Sequence, residues 1–106
     1  MERPPQIPIN RFQLAILLNE EEKQDYQLML NENVFCIHCD GIAKKGISVT
    51  EIYMDSLNDI FVRGICNVCN GKVARTMEFG EDQAFYEKAT AFRKAIGAAI
   101  QRIGKY

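Results

Sequence analysis

The residues best suited to chemistry in this chain are its four cysteines, which occur as two Cys-x-x-Cys pairs. Cys36 pairs with Cys39 and Cys66 pairs with Cys69, with 26 residues between the two pairs. Two residues between thiolates allow one tight turn to direct both sulfur atoms to the same metal ion, at about 2.3 Å. The pattern therefore predicts one tetrahedral four-sulfur site, which leaves no coordination position for water or substrate.

The sequence around each pair is repeated, which strengthens the prediction of two equivalent metal-binding turns. Residues 35–41 and 65–71 each contain an apolar residue, a Cys-x-x-Cys pair, then Asp or Asn, then Gly. Asp, Asn and Gly tolerate the left-handed backbone conformation. Such a turn can direct backbone N–H groups towards the thiolates and so offset their negative charge.

A structural zinc ion is favoured over the other roles that the cysteines could have. Disulfides are disfavoured because the first residues lack the basic-then-apolar order of a secretory signal. A thioredoxin-like redox pair needs a βαβ setting and a single Cys-x-x-Cys. Mononuclear iron uses the same ligands, but zinc is the commoner occupant of structural four-cysteine sites. His38, the only histidine, is the alternative ligand, and the cysteine spacing favours an exposed position at the tip of its turn.

The segment before the first pair is predicted to be an extended leader followed by helices. Residues 1–9 contain all three prolines and are predicted to be extended. Residues 11–18 fit either a strand, by alternation, or a short helix capped by Asn10, and the helix is favoured because a clear helix follows. In that next helix Asn19 is the N-cap and Glu22 completes a capping box.

The middle of the chain changes to β-strand character. Strands are predicted over residues 46–54, 60–65 and 72–79, because these stretches are rich in β-branched residues or alternate in polarity, and the second runs directly into Cys66. The first stretch also fits a helix that begins with a capping box of Ser48 and Glu51. Its β-branched residues and the need for a hairpin between the cysteine pairs favour a strand.

The last quarter of the chain contains the strongest helical pattern, from residue 81 to about residue 103. A surface of small residues that includes Ala91, Ala95 and Ala99 is predicted to pack against the N-terminal helices, with a homodimer contact through this helix as the alternative. The apolar stripe of the helix consists of Phe85, Ala89, Phe92, Ile96, Ala99, Ile100 and Ile103.

With these elements in place, residues 34–80 resemble the zinc-ribbon superfamily, in which two Cys-x-x-Cys turns are joined by a β-hairpin. The resemblance implies one structural zinc ion and a protein that binds nucleic acid or other proteins without doing chemistry itself. The predicted fold is α+β and forms one compact domain. Its parts are an extended leader (1–9), short N-terminal helices (10–33), a three-stranded antiparallel zinc ribbon (34–80) and a long amphipathic C-terminal helix (81–106).

The charge pattern bears on the choice of partner. The formal net charge is −1, whereas nucleic-acid-binding domains are usually strongly basic. Strand alternation nevertheless predicts that four residues with nucleic-acid-binding or partner-binding chemistry share one sheet face. The preferred interpretation is that this face packs against the helices with its arginines directed outwards. The four residues are Phe61, Arg63, Arg75 and Phe79, and Met77 is predicted to share their face.

These observations lead to one functional prediction and one alternative. A non-enzymatic, structural-zinc adaptor that binds another protein is favoured, and a nucleic-acid-binding or transcription-related zinc ribbon is the alternative. No catalytic residue is predicted, because no Ser–His–Asp set or phosphate-binding loop is identifiable. The chain lacks an apolar run of the ~20 residues that a membrane span requires, so a cytoplasmic location is expected.

Overall fold

The structure is a computed structural model that describes the backbone of residues 6–80 and 82–103, and the side chains of residues 6–80 and 82–96. The fold is α+β, as predicted. Within the described ranges, no helix combines the length and hydropathy needed to cross a membrane. In chain order the elements are β1 (Ile7–Ile9), α1 (Arg11–Leu17), α2 (Glu20–Glu32), β2 (Phe35–Cys36), β3 (Gly41–Ile42), β4 (Ile47–Met54), β5 (Ile60–Cys66), β6 (Lys72–Met77) and α3 (Gln83–Ile103).

The main sheet is antiparallel and has four strands in the order β1-β4-β5-β6, while β2 and β3 form a separate small hairpin. The prediction of a three-stranded sheet is therefore wrong, because Ile7–Ile9 in the predicted leader pairs with β4. Pro8 is tolerated in this strand because β1 lies at the edge of the sheet, where a missing N–H need not break the ladder. Residues 1–5 of the predicted leader lie outside the described residues.

Both N-terminal helices begin with a capping box. Asn10 Oδ1 accepts a hydrogen bond from the Gln13 backbone N–H at 2.8 Å, and Gln13 Oε1 accepts one from the Asn10 backbone N–H at 2.8 Å. Asn19 and Glu22 make the same reciprocal pair at 2.7 and 2.8 Å. These bonds satisfy N–H groups that lack partners inside the helix. The preference for a helix near residues 11–18 is confirmed, as is the predicted start of α2.

The ambiguous stretch after the first cysteine pair is a strand, as favoured. β4 pairs with β5 along its length, with one irregularity between Val49 and Glu51. Gly64 allows the two strands to approach, because a Cβ atom there would overlap the Ser48 carbonyl oxygen and lie 3.2 Å from Val49 Cα. Backbone atoms of a paired strand cannot move aside easily, so glycine is required at this position.

One face of the sheet and the three helices enclose the hydrophobic core. α3 contacts α1, and its predicted stripe is buried at Phe85 and Ala89, with Phe92 packed against the core. Ala91 and Ala95 are exposed, so their predicted packing against the N-terminal helices is wrong. The side chains of Ala99, Ile100 and Ile103 lie outside the described residues. The largest fully buried side chains are Leu17, Val34, Met54, Ile60 and Val62, with Cys36 and Cys66.

A buried polar cluster attaches α3 to the turn between β4 and β5. Asn58 is only 5% exposed and has a left-handed backbone, with φ of 63°. Its side chain donates to Thr90 Oγ1 at 3.2 Å and accepts from Arg93 Nη2 at 2.9 Å. Arg93 Nη2 also donates to the Asp55 carbonyl oxygen at 2.7 Å. The sequence analysis gave this turn no role in positioning the C-terminal helix.

Candidate metal centre

The structure brings the four cysteines together into a single site. Their sulfur atoms all lie within 4.8 Å of one another. The Cys36 and Cys69 sulfurs are 3.5 Å apart, and the Cys39 and Cys66 sulfurs are 3.8 Å apart. A tetrahedral ion with metal–sulfur bonds of about 2.3 Å has sulfur–sulfur edges of about 3.8 Å. The four side chains therefore fit one tetrahedral metal ion.

Each cysteine pair supplies one buried and one exposed ligand. Cys36 ends β2 and Cys66 ends β5, and both are fully buried. Cys39 and Cys69 lie in the turns that follow and are exposed. The strands thus anchor one ligand of each pair in the core, and the turns bring the second ligand back towards it. A metal ion here would join two turns that are distant in the sequence.

The backbone of the two turns confirms the significance of the sequence repeat. Asp40 has φ of 55° and Asn70 has φ of 61°, at equivalent positions of the two turns. Asn and Asp adopt this left-handed conformation more readily than other side-chain-bearing residues. In the second turn the Asn70 N–H donates to the Cys66 carbonyl oxygen at 2.9 Å. These residues fold the chain back after each second cysteine.

Backbone N–H groups donate to the sulfur atoms of the second turn, which confirms the expectation from the repeat in one of the two turns. The Val68 N–H donates to Cys66 Sγ and the Gly71 N–H donates to Cys69 Sγ, each with a nitrogen–sulfur distance of 3.4 Å. Donation from the backbone N–H groups of Cys69 and Val68 lowers the pKa of the Cys66 thiol to about 7. A hydrogen bond with Cys69 contributes most to raising the pKa of the Cys39 thiol to about 12. Four sulfurs this close repel one another as thiolates, so full deprotonation requires a bound cation.

His38 lies outside the ligand set and packs across the second turn. Among the described residues, the four cysteines are the one cluster of His, Cys, Asp or Glu side chains that could hold a metal. His38 is exposed, in agreement with its predicted place at the tip of the turn. A Cβ atom at residue 71 would overlap the His38 ring and lie 3.2 Å from Cys69 Sγ. Gly71 therefore allows the two turns to pack closely.

The other four predicted contact residues do not share one face. Phe61 and Arg63 alternate with Ile60 and Val62, which belong to the buried core. Arg75 pairs directly with Val62, and directly opposite residues in a sheet point to the same side. Arg75 therefore lies on the core side at the sheet edge, as does Met77, which pairs with the buried Ile60. The predicted common face is wrong.

Phe79 lies beyond the end of β6, so it was also misplaced by the alternation argument. Its ring stacks on that of Phe85 in α3, with centroids 3.5 Å apart and an angle of 7° between the planes. This contact joins the end of the sheet to the C-terminal helix. Phe79 therefore packs within the domain, as the preferred interpretation expected of these residues.

Phe61 and Arg63 lie on the face opposite the core, together with Tyr53, which the sequence analysis did not single out. Tyr53 is paired with Phe61 across β4 and β5. The Arg63 guanidinium lies 5.5 Å from the Phe61 ring centroid and 6.0 Å from that of Tyr53. We call these three residues the arginine–aromatic cluster. The predicted packing of this face against the helices is wrong, because the core lies on the other side of the sheet.

Apolar side chains are exposed around the metal centre, and sequence reasoning missed them. Ile37 in the first turn is 74% exposed and Val68 in the second is 50% exposed. Phe35 and Ile42 are also exposed and face each other across β2 and β3. These residues occupy the x positions and flanks of the cysteine pairs, which is the signal that could have identified them. We call the four side chains the metal-end patch.

Comparisons with protein-family models, with curated proteins and with solved structures give no match for this chain. The site and its chemistry therefore rest on the residues described above.

Proposed function

We propose that the four cysteines hold one structural Zn²⁺ and that the chain is a non-enzymatic protein-interaction module. Four thiolates suit zinc, and a closed tetrahedral shell leaves no coordination position for catalysis. The net charge of −1 favours a protein partner over the phosphate backbone of a nucleic acid.

This proposal is based mainly on the exposure of the apolar side chains of the metal-end patch. Ile37 and Val68 lie between the ligands of different cysteine pairs, so one metal ion holds both in place. Exposed apolar clusters on a small domain mark interaction surfaces. Burial of this surface against a partner is favourable by about 25 cal/mol for each Å² of apolar area. In this proposal the metal ion positions the apolar side chains of the binding surface, and the partner protein covers these side chains.

Loss of the patch is expected to prevent partner binding without loss of metal. We predict that the double variant Ile37→Glu/Val68→Glu recovers at least tenfold less of any partner that the zinc-loaded chain captures from a lysate of its native cells. The measurement is quantitative mass spectrometry of the captured proteins, with the metal content of each variant determined in parallel.

The matched control is Leu28→Glu, because Leu28 is an exposed apolar residue of α2 outside the metal-end patch. This variant is expected to capture the same partner as the unchanged chain. Equal capture by the double variant, at one metal ion per chain, would show that the patch is not the interaction surface.

The arginine–aromatic cluster supports nucleic acid as a second candidate. Aromatic rings stack on unpaired bases, and an arginine held beside them contacts phosphate. We predict for this candidate that Arg63→Ala weakens binding of a single-stranded oligonucleotide about tenfold, and that affinity falls with rising salt. Fluorescence anisotropy measures both effects. Failure of the unchanged chain to bind at low salt would remove this candidate.

A homodimer through α3 remains a prediction. It is supported by the exposure of Ala91 and Ala95, since small exposed residues permit close approach of a second helix.

A further inference from the structure

One edge of the main sheet has backbone groups that are free to pair with another strand. β6 hydrogen-bonds to β5 on one side and is the last strand of the sheet on the other. The Cys66 N–H donates to the Gly71 carbonyl oxygen at 2.8 Å, and antiparallel pairs alternate between bonded and non-bonded. It follows that the backbone N–H and C=O groups of Val73, Arg75 and Met77 point towards β5 and hydrogen-bond to it. The residues whose N–H and C=O groups point away from β5 are Lys72, Ala74 and Thr76.

These outward groups are unpaired among the described residues, although β2 contacts β6 and α2 lies across the groove from Thr76. None of the described residues donates to or accepts from the backbone of Lys72, Ala74 or Thr76 on this side, and Lys72 and Ala74 are exposed. Free edges of this kind are templates for a further strand. β1, at the other edge, has three residues, whereas β6 has six. β6 therefore offers the longer free edge.

A groove runs beside this edge, between β6 and α2. Its volume is about 460 Å³. Met29 from α2 and Met77 from β6 supply the apolar surface of the groove, and Arg75 from β6 also lines it. An extended chain paired with β6 would direct every second side chain into this groove, because side chains alternate along a strand. The groove also contains acidic groups, from Asp25 and Glu78.

The charges on β6 indicate the chemistry of such a chain. Lys72 and Arg75 are exposed, and neither forms an ion pair within the described residues. In an antiparallel complex, acidic side chains would lie opposite these two residues, and an apolar side chain would lie opposite Met77. A second copy of β6 would instead bring two more basic groups, its own Lys72 and Arg75, to the same edge.

We propose that the free edge of β6 binds an extended peptide segment of a partner protein by antiparallel strand addition. The segment has an apolar residue opposite Met77, an acidic residue opposite Arg75 and an acidic residue opposite Lys72. Backbone hydrogen bonds supply affinity, and the alternate side chains supply specificity. β2, which contains Phe35 of the metal-end patch, contacts β6. The free edge of β6 includes none of the patch residues, so the inference does not depend on the function proposed above.

The test uses the zinc-loaded full chain and the capped hexapeptide Leu-Thr-Glu-Thr-Val-Glu, whose first residue would lie opposite Met77. Hydrogen exchange measured by NMR reports each backbone N–H separately. At saturating peptide, exchange of the Lys72, Ala74 and Thr76 amides is expected to slow at least tenfold. Unchanged exchange at these three amides with millimolar peptide overturns the proposal. Protection of them that rises with protein concentration, in the absence of peptide, also overturns it in favour of a second copy.

Two variants and one matched control test the backbone and charge requirements. Ala74→Pro removes an outward N–H while leaving the bonds of Val73 and Arg75 to β5, so at least tenfold weaker binding is expected. Ala74→Ser keeps that N–H and is expected to bind as the unchanged chain does. Arg75→Glu retains every backbone donor and is expected to weaken binding at least fivefold. Unchanged affinity of folded Ala74→Pro overturns the proposal, and if that variant does not fold, unchanged affinity of Arg75→Glu overturns it.

Discussion

Cys66→Ser is expected to reduce bound zinc from one ion per chain to a small fraction and to abolish cooperative unfolding of the domain. Cys66 is fully buried at the end of β5 and accepts from the Val68 N–H. Structural zinc in small peptides contributes about 10–16 kcal/mol, whereas a whole domain is stable by about 5–15 kcal/mol. Loss of the site can therefore remove most of the stability. Metal analysis by mass spectrometry and thermal unfolding by circular dichroism measure the two effects.

The matched control is His38→Ala, which changes a residue between two ligands without changing the ligand set. This variant is expected to keep one zinc ion per chain, because the His38 side chain lies outside the four-sulfur cluster. A chelator added to the unchanged chain is expected to reproduce the behaviour of Cys66→Ser. If Cys66→Ser retained a full equivalent of zinc and its melting temperature, the four-cysteine site would be wrong.

Asn58→Ala is expected to lower the free energy of unfolding by about 3 kcal/mol. The left-handed backbone costs a residue with a Cβ atom about 1–2 kcal/mol, although Asn offsets part of that through its local hydrogen bonds. Removal of the side chain also leaves the Arg93 guanidinium without one of its acceptors, and hydrogen bonds to charged groups contribute about 1.5–3 kcal/mol. Urea denaturation of the zinc-loaded chain measures the change.

Asn58→Gly separates the two causes. Glycine adopts a φ of 63° without steric cost, so this variant is expected to lose only the part that comes from the side-chain contacts. Asn58→Gly should therefore be more stable than Asn58→Ala. A stability equal to that of the unchanged chain for both variants would show that the buried cluster does not stabilise the attachment of α3.

Local signals in the sequence were sufficient wherever neighbouring residues determine the outcome. Asn19 and Glu22 predicted the start of α2, because a capping box is made entirely within four residues. The repeated Cys-x-x-Cys turns predicted the left-handed backbone at Asp40 and Asn70 for the same reason. β-branched residues correctly favoured a strand for β4 over a competing helix pattern.

Predictions that required strand pairing were less successful. Arg75 was assigned to the face of Phe61 and Arg63, but its pairing with Val62 places it on the core side. Alternation gives the side of each residue within one strand and does not relate the sides of two strands. The fourth strand was missed because Ile7–Ile9 contains a proline and becomes a strand only by pairing with β4.

The ligand set, the turn conformations and most helix and strand assignments were thus available from the order of residues alone, since short-range contacts decide them. The tertiary structure decided how the two turns meet, which apolar side chains remain exposed around the sulfurs, and which sheet edge stays open. Each of these depends on contacts between segments distant in the chain, such as the 3.5 Å approach of the Cys36 and Cys69 sulfurs. The position of α3 likewise depends on Asn58 and Arg93, whose contact across 35 residues has no local signature.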